Sequence, residues 1–401
     1  MLANLDRLAR RMDELGIDGI VATTAENVYY LTGVASVSHE IFPHSGQCFA
    51  VVTRDRLAHP RLISSRCDLD QIRDARVELD GAAGFGTFHR ELADETELSV
   101  LGEHGQLLHR LMNEQPNGVP ALGVLARVLR EAGLGEARIA IDEESLPANA
   151  FDVLREELRG ADLRPGAELF RWVRKVKTEP EIERLRAAAA LTEQCILAAM
   201  AIAKPGATEI DLVREFERTA VSSGGRPKFT LIKFGDRAAY GQSRPTADPL
   251  RRGEAVWFDV GLILDGYWSD LSRMFSIGQP TDKLARYCEG VLAGEEAALA
   301  KTRPGMTGKE LFDTAVEAVR QNGIPHYRRN HVGHGIGVEV YDRVLITPDN
   351  DEAIEVGTVV NFETPYYEFG FGAAMIEDPY VVRENGNELL TTLDRNLTVI
   401  D

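Results

Sequence analysis

Apolar residues recur along the chain with two periods, one near three to four and one of two, and their alternation predicts an α/β protein in two parts. Leu5, Leu8, Met12 and Leu15 follow Asn4 at helical spacing and stop at Gly16, which predicts an amphipathic helix with an asparagine cap. Residues 17–23 and 47–53 read as strands, 122–133 as a helix, 138–142 as a strand and 149–160 as a helix. This pattern predicts an α/β N-terminal domain over residues 1–165, bounded at Arg164-Pro165-Gly166, and a second domain over 166–401. At the head of the second, Thr178 and Glu181 predict a capping box, with Pro180 in the first turn of a long helix.

The second domain repeats itself weakly. Lys204-Pro205-Gly206-Ala207-Thr208 with Asp211 and Leu212 recurs 99 residues later as Arg303-Pro304-Gly305-Met306-Thr307 with Glu310 and Leu311. A common cap motif used twice would give the same pattern, but each copy also leads to an acidic hairpin, which favours duplication about a pseudo-twofold axis. In the first hairpin Asp265-Gly266 predicts a type I′ turn, so that Leu264 pairs with Tyr267 and Asp259 faces Ser272, with Asp270 as its diagonal neighbour. Period-two alternation then sends Asp259 and Asp270 from the same face. In the second, strands ending in Glu363 and Glu377 flank a glycine-rich bend around Gly370, which sets the two glutamates opposite each other.

Taken singly, each of these acids is most often a solvated surface charge. Their neighbours argue otherwise: Trp257, Phe258, Val260, Leu262, Leu271, Met274 and Phe275 are too apolar for an open edge, and buried like charges need a cation among them. His334 lies between the hairpins in Gly333-His334-Gly335-Ile336-Gly337. A phosphate-binding loop would also be glycine-rich, but the spacing is wrong and no Lys-Ser/Thr pair follows. Four carboxylates and an imidazole form an oxygen-rich set suited to manganese, iron, cobalt or zinc.

Asp259, Asp270, His334, Glu363 and Glu377, separated by 11, 64, 29 and 14 residues, resemble the metal ligands of the creatinase, aminopeptidase P, prolidase and methionine aminopeptidase superfamily, and the spacing is similar to that of its Xaa-Pro peptidases. Asn27-Val28-Tyr29-Tyr30-Leu31-Thr32-Gly33 resembles a turn of that family's N-terminal domain. The resemblance implies an α/β creatinase-like N-terminal domain and an α+β "pita-bread" catalytic domain with a pseudo-twofold internal repeat. It implies two divalent metal ions, bridged by Asp270 and Glu377, with Asp259 on one and His334 and Glu363 on the other. Such a pair shares a water, lowers its pKa and polarises a carbonyl. Glu363 would double as proton shuttle. A homodimer is also implied, in which the region of His39 and His44 reaches the partner's active site, although lone loop histidines usually face solvent.

Two departures from the family change the picture. Its peptidases carry a substrate-binding histidine 17 residues before the first aspartate and another seven after the ligand histidine, where this chain has Gln242 and Tyr341. Both can donate hydrogen bonds, but neither exchanges a proton near pH 7 as imidazole does. His331 lies three residues before His334 where the family has a histidine four before, a position held here by Asn330. The expected function is therefore a metal-dependent hydrolase that cleaves an amide C–N bond in a dipeptide or small amidic metabolite, with Glu363, His331, Gln242 and Tyr341 as its catalytic residues. The alternatives are a non-peptidase with chemistry like that of creatinase, ectoine hydrolase or dimethylsulfoniopropionate lyase, or an inactive binding scaffold. Retention of all five ligands argues against the scaffold.

Composition narrows the partners. A chain of 401 residues with 44% hydrophobic content builds two ordinary cores, and a net charge of −18 argues against nucleic acid or an anionic membrane as partner. No run of about 18 apolar residues and no leader pattern occurs. Cys48, Cys67, Cys195 and Cys288 are scattered, which predicts reduced core thiols of a cytoplasmic protein. The aromatic segment 365–371 either lines a pocket or packs its hairpin.

Overall fold

The computed structural model describes residues 2–43 and 45–400. The chain separates into two units, Met1–Val173 and Arg174–Asp401. In the first, Asn4 caps the helix Leu5–Leu15 by accepting from the Arg7 N–H, and Gly16 ends it at φ 62°. Strands β1 (Gly19–Ala22), β2 (Cys48–Thr53), β3 (Arg61–Ser65), β4 (Gly81–Phe85), β5 (Arg138–Ile141) and β6 (Asp162–Pro165) form one sheet in the order β4-β3-β2-β1-β5-β6. The pattern around Asn27 is a helix, Ala25–Thr32, rather than a turn. Buried Asp142, following β5, ties it down by accepting from the Thr24 hydroxyl at 2.7 Å and the Asn27 amide at 2.8 Å. Sequence pattern missed β3 and β4, and Gly81-Ala82-Ala83-Gly84 has little strand propensity of its own; pairing with a neighbour decides its state. Arg164 and Pro165 belong to the edge strand β6, where a proline costs no ladder bond.

The second unit is built twice over. Helices Glu179–Ala201 and Glu209–Ser222 open one half, Asp282–Lys301 and Gly308–Gln321 the other. Thr178, Thr208 and Thr307 each close a capping box with the acid three residues on. Gly206 and Gly305 turn at φ 95° and 92°, and their N–H groups reach the carbonyls of Leu250 and Ile354 at 2.9 and 2.8 Å. The duplicated motif therefore makes the same turn against the same kind of partner in both halves.

The strands that follow are β7 (Arg226–Phe234), β8 (Ala255–Leu264), β9 (Tyr267–Trp268), β10 (Leu271–Ile277), β11 (Gly333–Gly335), β12 (Asp342–Leu345), β13 (Val359–Glu363), β14 (Tyr366–Glu368), β15 (Gly372–Ala374), β16 (Glu377–Arg383), β17 (Gly386–Leu389) and β18 (Thr398–Ile400). The main path runs β12-β11-β13-β16-β10-β8-β7, so the hairpin of one half meets the hairpin of the other at β16 and β10. Phe258, Val260, Leu262, Leu271 and Phe275 pack with the first helix pair, and Val360, Phe362, Tyr380 and Val382 with the second. The helices thus cover one face of the sheet, and the residues alternating with these emerge on the other.

The seam between halves is narrow: β10 and β16 share one registered pair, Ser272 with Glu377. On the helix-covered face behind it, Arg273 grips Asp378 with both arms, Nη2 to Oδ1 at 2.7 Å and Nη1 to Oδ2 at 3.1 Å. Arg273 Nη1 also bonds the Glu377 carbonyl at 3.2 Å, and both side chains are buried. Arg273→Met should leave Asp378 buried without its counter-charge and cost about 3–5 kcal/mol of stability. Urea denaturation checks this; a loss under about 1 kcal/mol, the range of an exposed pair, would refute it.

Candidate metal centre

Backbone register brings the five candidate ligands to the open face of the sheet. Asp265 and Gly266 sit at φ 50° and 80°, as a type I′ turn needs, and Asp259 pairs with Ser272. Gly370 turns at φ 77°, and Glu363 pairs with Glu377. One row across the sheet therefore reads Asp259, Ser272, Glu377, Glu363, with side chains on the same side. Asp270 lies two residues before Ser272 on that side. His334 pairs with Asn361, itself two residues before Glu363. Glycines flank His334 because β11 is squeezed between neighbours: a Cβ on Gly335 would lie 2.0 Å from the Arg343 carbonyl oxygen, and one on Gly333 2.6 Å from that of Asn361.

Among the described residues, Asp270, His334 and Glu377 offer ligand atoms within 4.8 Å of one another. Asp259 and Glu363 line the same cavity beside them. All five are buried. Among the described residues, Asp270 Oδ1, His334 Nε2 and Glu377 Oε2 find no hydrogen-bond partner, which a buried polar atom rarely tolerates. The arrangement suits a cation. His334 Nδ1 lies 3.0 Å from the Gly335 carbonyl; donating its proton there leaves Nε2 as a bare lone pair. Burial lowers the His334 pKa and keeps the ring neutral. Asn361 Nδ2 donates to Glu377 Oε1 at 2.7 Å, the oxygen that lies 3.9 Å from His334 Nε2.

The electrostatics agree. Burial and the nearby Glu363 raise Asp259 to about 7. Burial, then Asp259 and Glu363, push Asp270 well above the carboxylate range; burial, then Asp270 and Glu363, do the same to Glu377. Glu363 differs: burial works to raise it, but contact with His331 and the charge of Arg329 bring it below its ordinary value.

A cavity of about 850 Å³ opens over the acids, and Gln242, Asn330, His331 and Tyr341 line it. His331 Nδ1 lies 3.0 Å from Glu363 Oε1, within hydrogen-bond distance but off the line of a well-made bond. The Tyr341 ring stacks on His334, with centroids 3.7 Å apart and planes at 16°. Behind it Asp342 is held by Lys177 at 3.2 Å and Arg174 at 3.4 Å, all three buried. The aromatic segment divides by strand alternation. Tyr367 lines the cavity, whereas Tyr366 and Phe371 pack edge-on against Tyr287.

Sequence pattern did not single out Arg329, Asn361 or the clamp on Asp342. Asn361 was within reach, since it alternates with Glu363 on one strand; Lys177 and Asp342 are 165 residues apart and no local signal joins them. In the first unit His39 is buried in the short helix Val37–Ile41, and His44 lies outside the described residues.

Residues 183–384 match the family described as Metallopeptidase family M24, and residues 4–176 match the Creatinase/Prolidase N-terminal domain. An uncharacterized peptidase of Staphylococcus aureus strain USA300 is 31% identical over 396 residues, which cover 98% of this chain and 100% of that one. One of Staphylococcus saprophyticus is 32% identical over 230 residues, 57% of this chain and 66% of that one. The crystal structure of the X-Pro aminopeptidase from Thermotoga maritima MSB8 has the same fold, with a TM-score of 0.77 at 24% identity over 99% of both chains.

Without a cation, the raised carboxylates hold protons that an unfolded chain, with carboxylate pKa values near 4, has already released. The stability they contribute is therefore present at low pH and is lost as pH rises from about 4 through the folded value of about 7 for Asp259. Bound cations oppose that loss. The melting temperature of chelator-treated protein should fall further below that of manganese-loaded protein as pH goes from about 5 to about 7.5. A gap that stays constant in differential scanning fluorimetry would contradict this.

Proposed function

Because this chain belongs to metallopeptidase family M24 and carries a Creatinase/Prolidase N-terminal domain, we propose that it hydrolyses the amide C–N bond of a dipeptide or small amidic metabolite. The observation that carries this reading is the convergence of Asp270, His334 and Glu377, each of which also has a buried polar atom with no hydrogen-bond partner among the described residues. Asp259, Asp270, His334, Glu363 and Glu377 would hold two divalent cations, manganese, iron, cobalt or zinc. Such cations supply Lewis acidity to the scissile carbonyl and make water acidic enough to attack near neutral pH.

The chain's own groups do the rest. Glu363 Oε1, ionised and 3.0 Å from His331 Nδ1, takes a proton from the attacking water, and His331 is placed to pass it to the leaving amine. Tyr341 keeps its phenolic proton, because burial and then Glu363, Glu377, Asp270 and Asp259 all raise its pKa; it serves as a donor, never as a base. Gln242 offers its amide to the substrate carbonyl from another wall of the same cavity. We place the protein in the cytoplasm, on its four free cysteines, of which Cys48, Cys195 and Cys288 are buried in the core and Cys67, contrary to expectation, is exposed, and as a homodimer, on the family likeness. Among the described residues no helix is long and apolar enough to cross a membrane.

A second reading keeps the metal centre and gives up peptides. It is favoured by the Tyr341 ring lying flat on His334, where the related peptidases carry a second imidazole. Small polar metabolites of the kind handled by creatinase or ectoine hydrolase would then be the substrates.

Elemental analysis should find about two divalent ions per chain, and Asp270→Ala or Glu377→Ala should each remove both. Substoichiometric metal that no added manganese, iron, cobalt or zinc restores would refute the centre. Xaa-Pro dipeptides should be poor substrates beside other small amides, since losing one positioned donor typically costs about 2.7–4 kcal/mol of transition-state stabilisation. Steady-state assays on Gly-Pro and Ala-Pro with each metal decide this; rapid turnover of either would return the protein to the prolyl peptidases. Sedimentation at micromolar concentration should give a dimer, and a fully active monomer would sink that part of the proposal.

A further inference from the structure

The cavity over the acids is lined by four carboxylates and, among its described residues, by one guanidinium, that of Arg329. This residue lies in the segment between helix Gly308–Gln321 and β11. Its contacts are long for a half-buried cation: Nε reaches the His331 carbonyl at 3.3 Å, Nη2 stands 3.5 Å from Glu363 Oε2, and the side chain is 15% exposed. A guanidinium has five N–H donors in a fixed fork, and these two contacts leave most of them for the cavity.

Arg329 is more than a counter-charge for Glu363. Once the acids are committed to cations their hold on it weakens, and a positive fork then faces the cavity beside the Asn330 amide. Across the sheet the lining is apolar. Leu231 pairs with Asp259 and Phe229 with Gly261 on β7, the far edge from β11, and both side chains reach the cavity with Tyr240. The two walls ask for a substrate with an apolar part and an anionic part.

We infer that Arg329 is a specificity-determining residue that receives a carboxylate of the substrate. The substrate is then a small acid-bearing amide whose apolar part rests on Phe229 and Leu231. This rests on the amide-hydrolase reading above for the reaction, but not for binding.

The test compares Leu-Ala with its carboxamide on metal-loaded protein. Asp-Ala-amide and Asn-Ala-amide serve as a second pair, which asks whether a side-chain carboxylate can substitute for the terminal one. Wild type should prefer the acid of at least one pair by about 10- to 100-fold in kcat/KM, the range of a hydrogen bond to a charged group. Arg329→Gln should bring that ratio near one, chiefly through KM, and Arg329→Lys should restore part of it, with metal content unchanged in both. Calorimetry with reduced-amide Leu-Ala, which cannot be cleaved, and with its carboxamide separates the two readings. Arg329-dependent binding of the acid form without turnover of any substrate supports the inference and defeats the hydrolase. The inference is overturned by an acid-to-amide ratio that survives Arg329→Gln, or by equal binding of both analogues or of neither. It is equally overturned by a variant that loses metal and both activities together, which would make Arg329 a structural counter-ion of Glu363.

Discussion

The Arg273 fork on Asp378 is the constraint on which the catalytic unit depends. Two similar halves meet through a seam with one registered backbone pair, Ser272 with Glu377, too little ladder to fix their relative placement. The fork stands directly behind that pair and also bonds the Glu377 carbonyl, so the backbone that carries one candidate ligand is held from the covered side. Buried ion pairs are weak sources of net stability, because desolvation offsets much of their attraction. What this pair supplies is position. A slip of one residue at the seam would send Glu377 to the helix face and Asp378 into the acid cluster.

Given that seam, the open face follows as a problem of charge. Register places four carboxylates and one imidazole together whether or not anything neutralises them. Three of the acids respond by rising above their ordinary range, Glu363 by leaning on His331 and Arg329. The ligand geometry is secured from outside by neutral groups, the Gly335 carbonyl on His334 and the Asn361 amide on Glu377, which add no charge to the crowd. Lys177 and Arg174 hold the chain beyond His334 through Asp342, one residue past the Tyr341 ring that stacks on the imidazole.

Much of this was legible in the sequence because its signals are local. Asp265-Gly266 fixes a turn, the turn fixes a register, and the register fixes which side chains share a face; Gly370 does the same for the glutamates. The threonine caps and their Pro-Gly turns announced the duplication for the same reason. The segments that escaped are those whose state depends on distant partners. Gly81–Phe85 becomes a strand only by lying beside β3, and Arg329 matters only because its loop folds over Glu363, 34 residues later in the chain. His39 resembled a loop histidine until packing buried it.

The exchange of two family histidines for Gln242 and Tyr341 shapes what chemistry remains. Neither replacement can pick up a proton near neutrality, and Tyr341, set among four carboxylates, is held further from ionising than a free phenol. In the mechanism we propose, proton movement is thereby confined to one wall of the cavity, where His331 lies against Glu363, while the other donors only orient. A site with one route for protons and a single cationic fork is narrower in what it accepts than one ringed by imidazoles. On the proposed reading its selectivity comes from how a substrate's charge meets Arg329 and how its apolar part meets β7, since the acids would be committed to one another and to the cations they are proposed to hold.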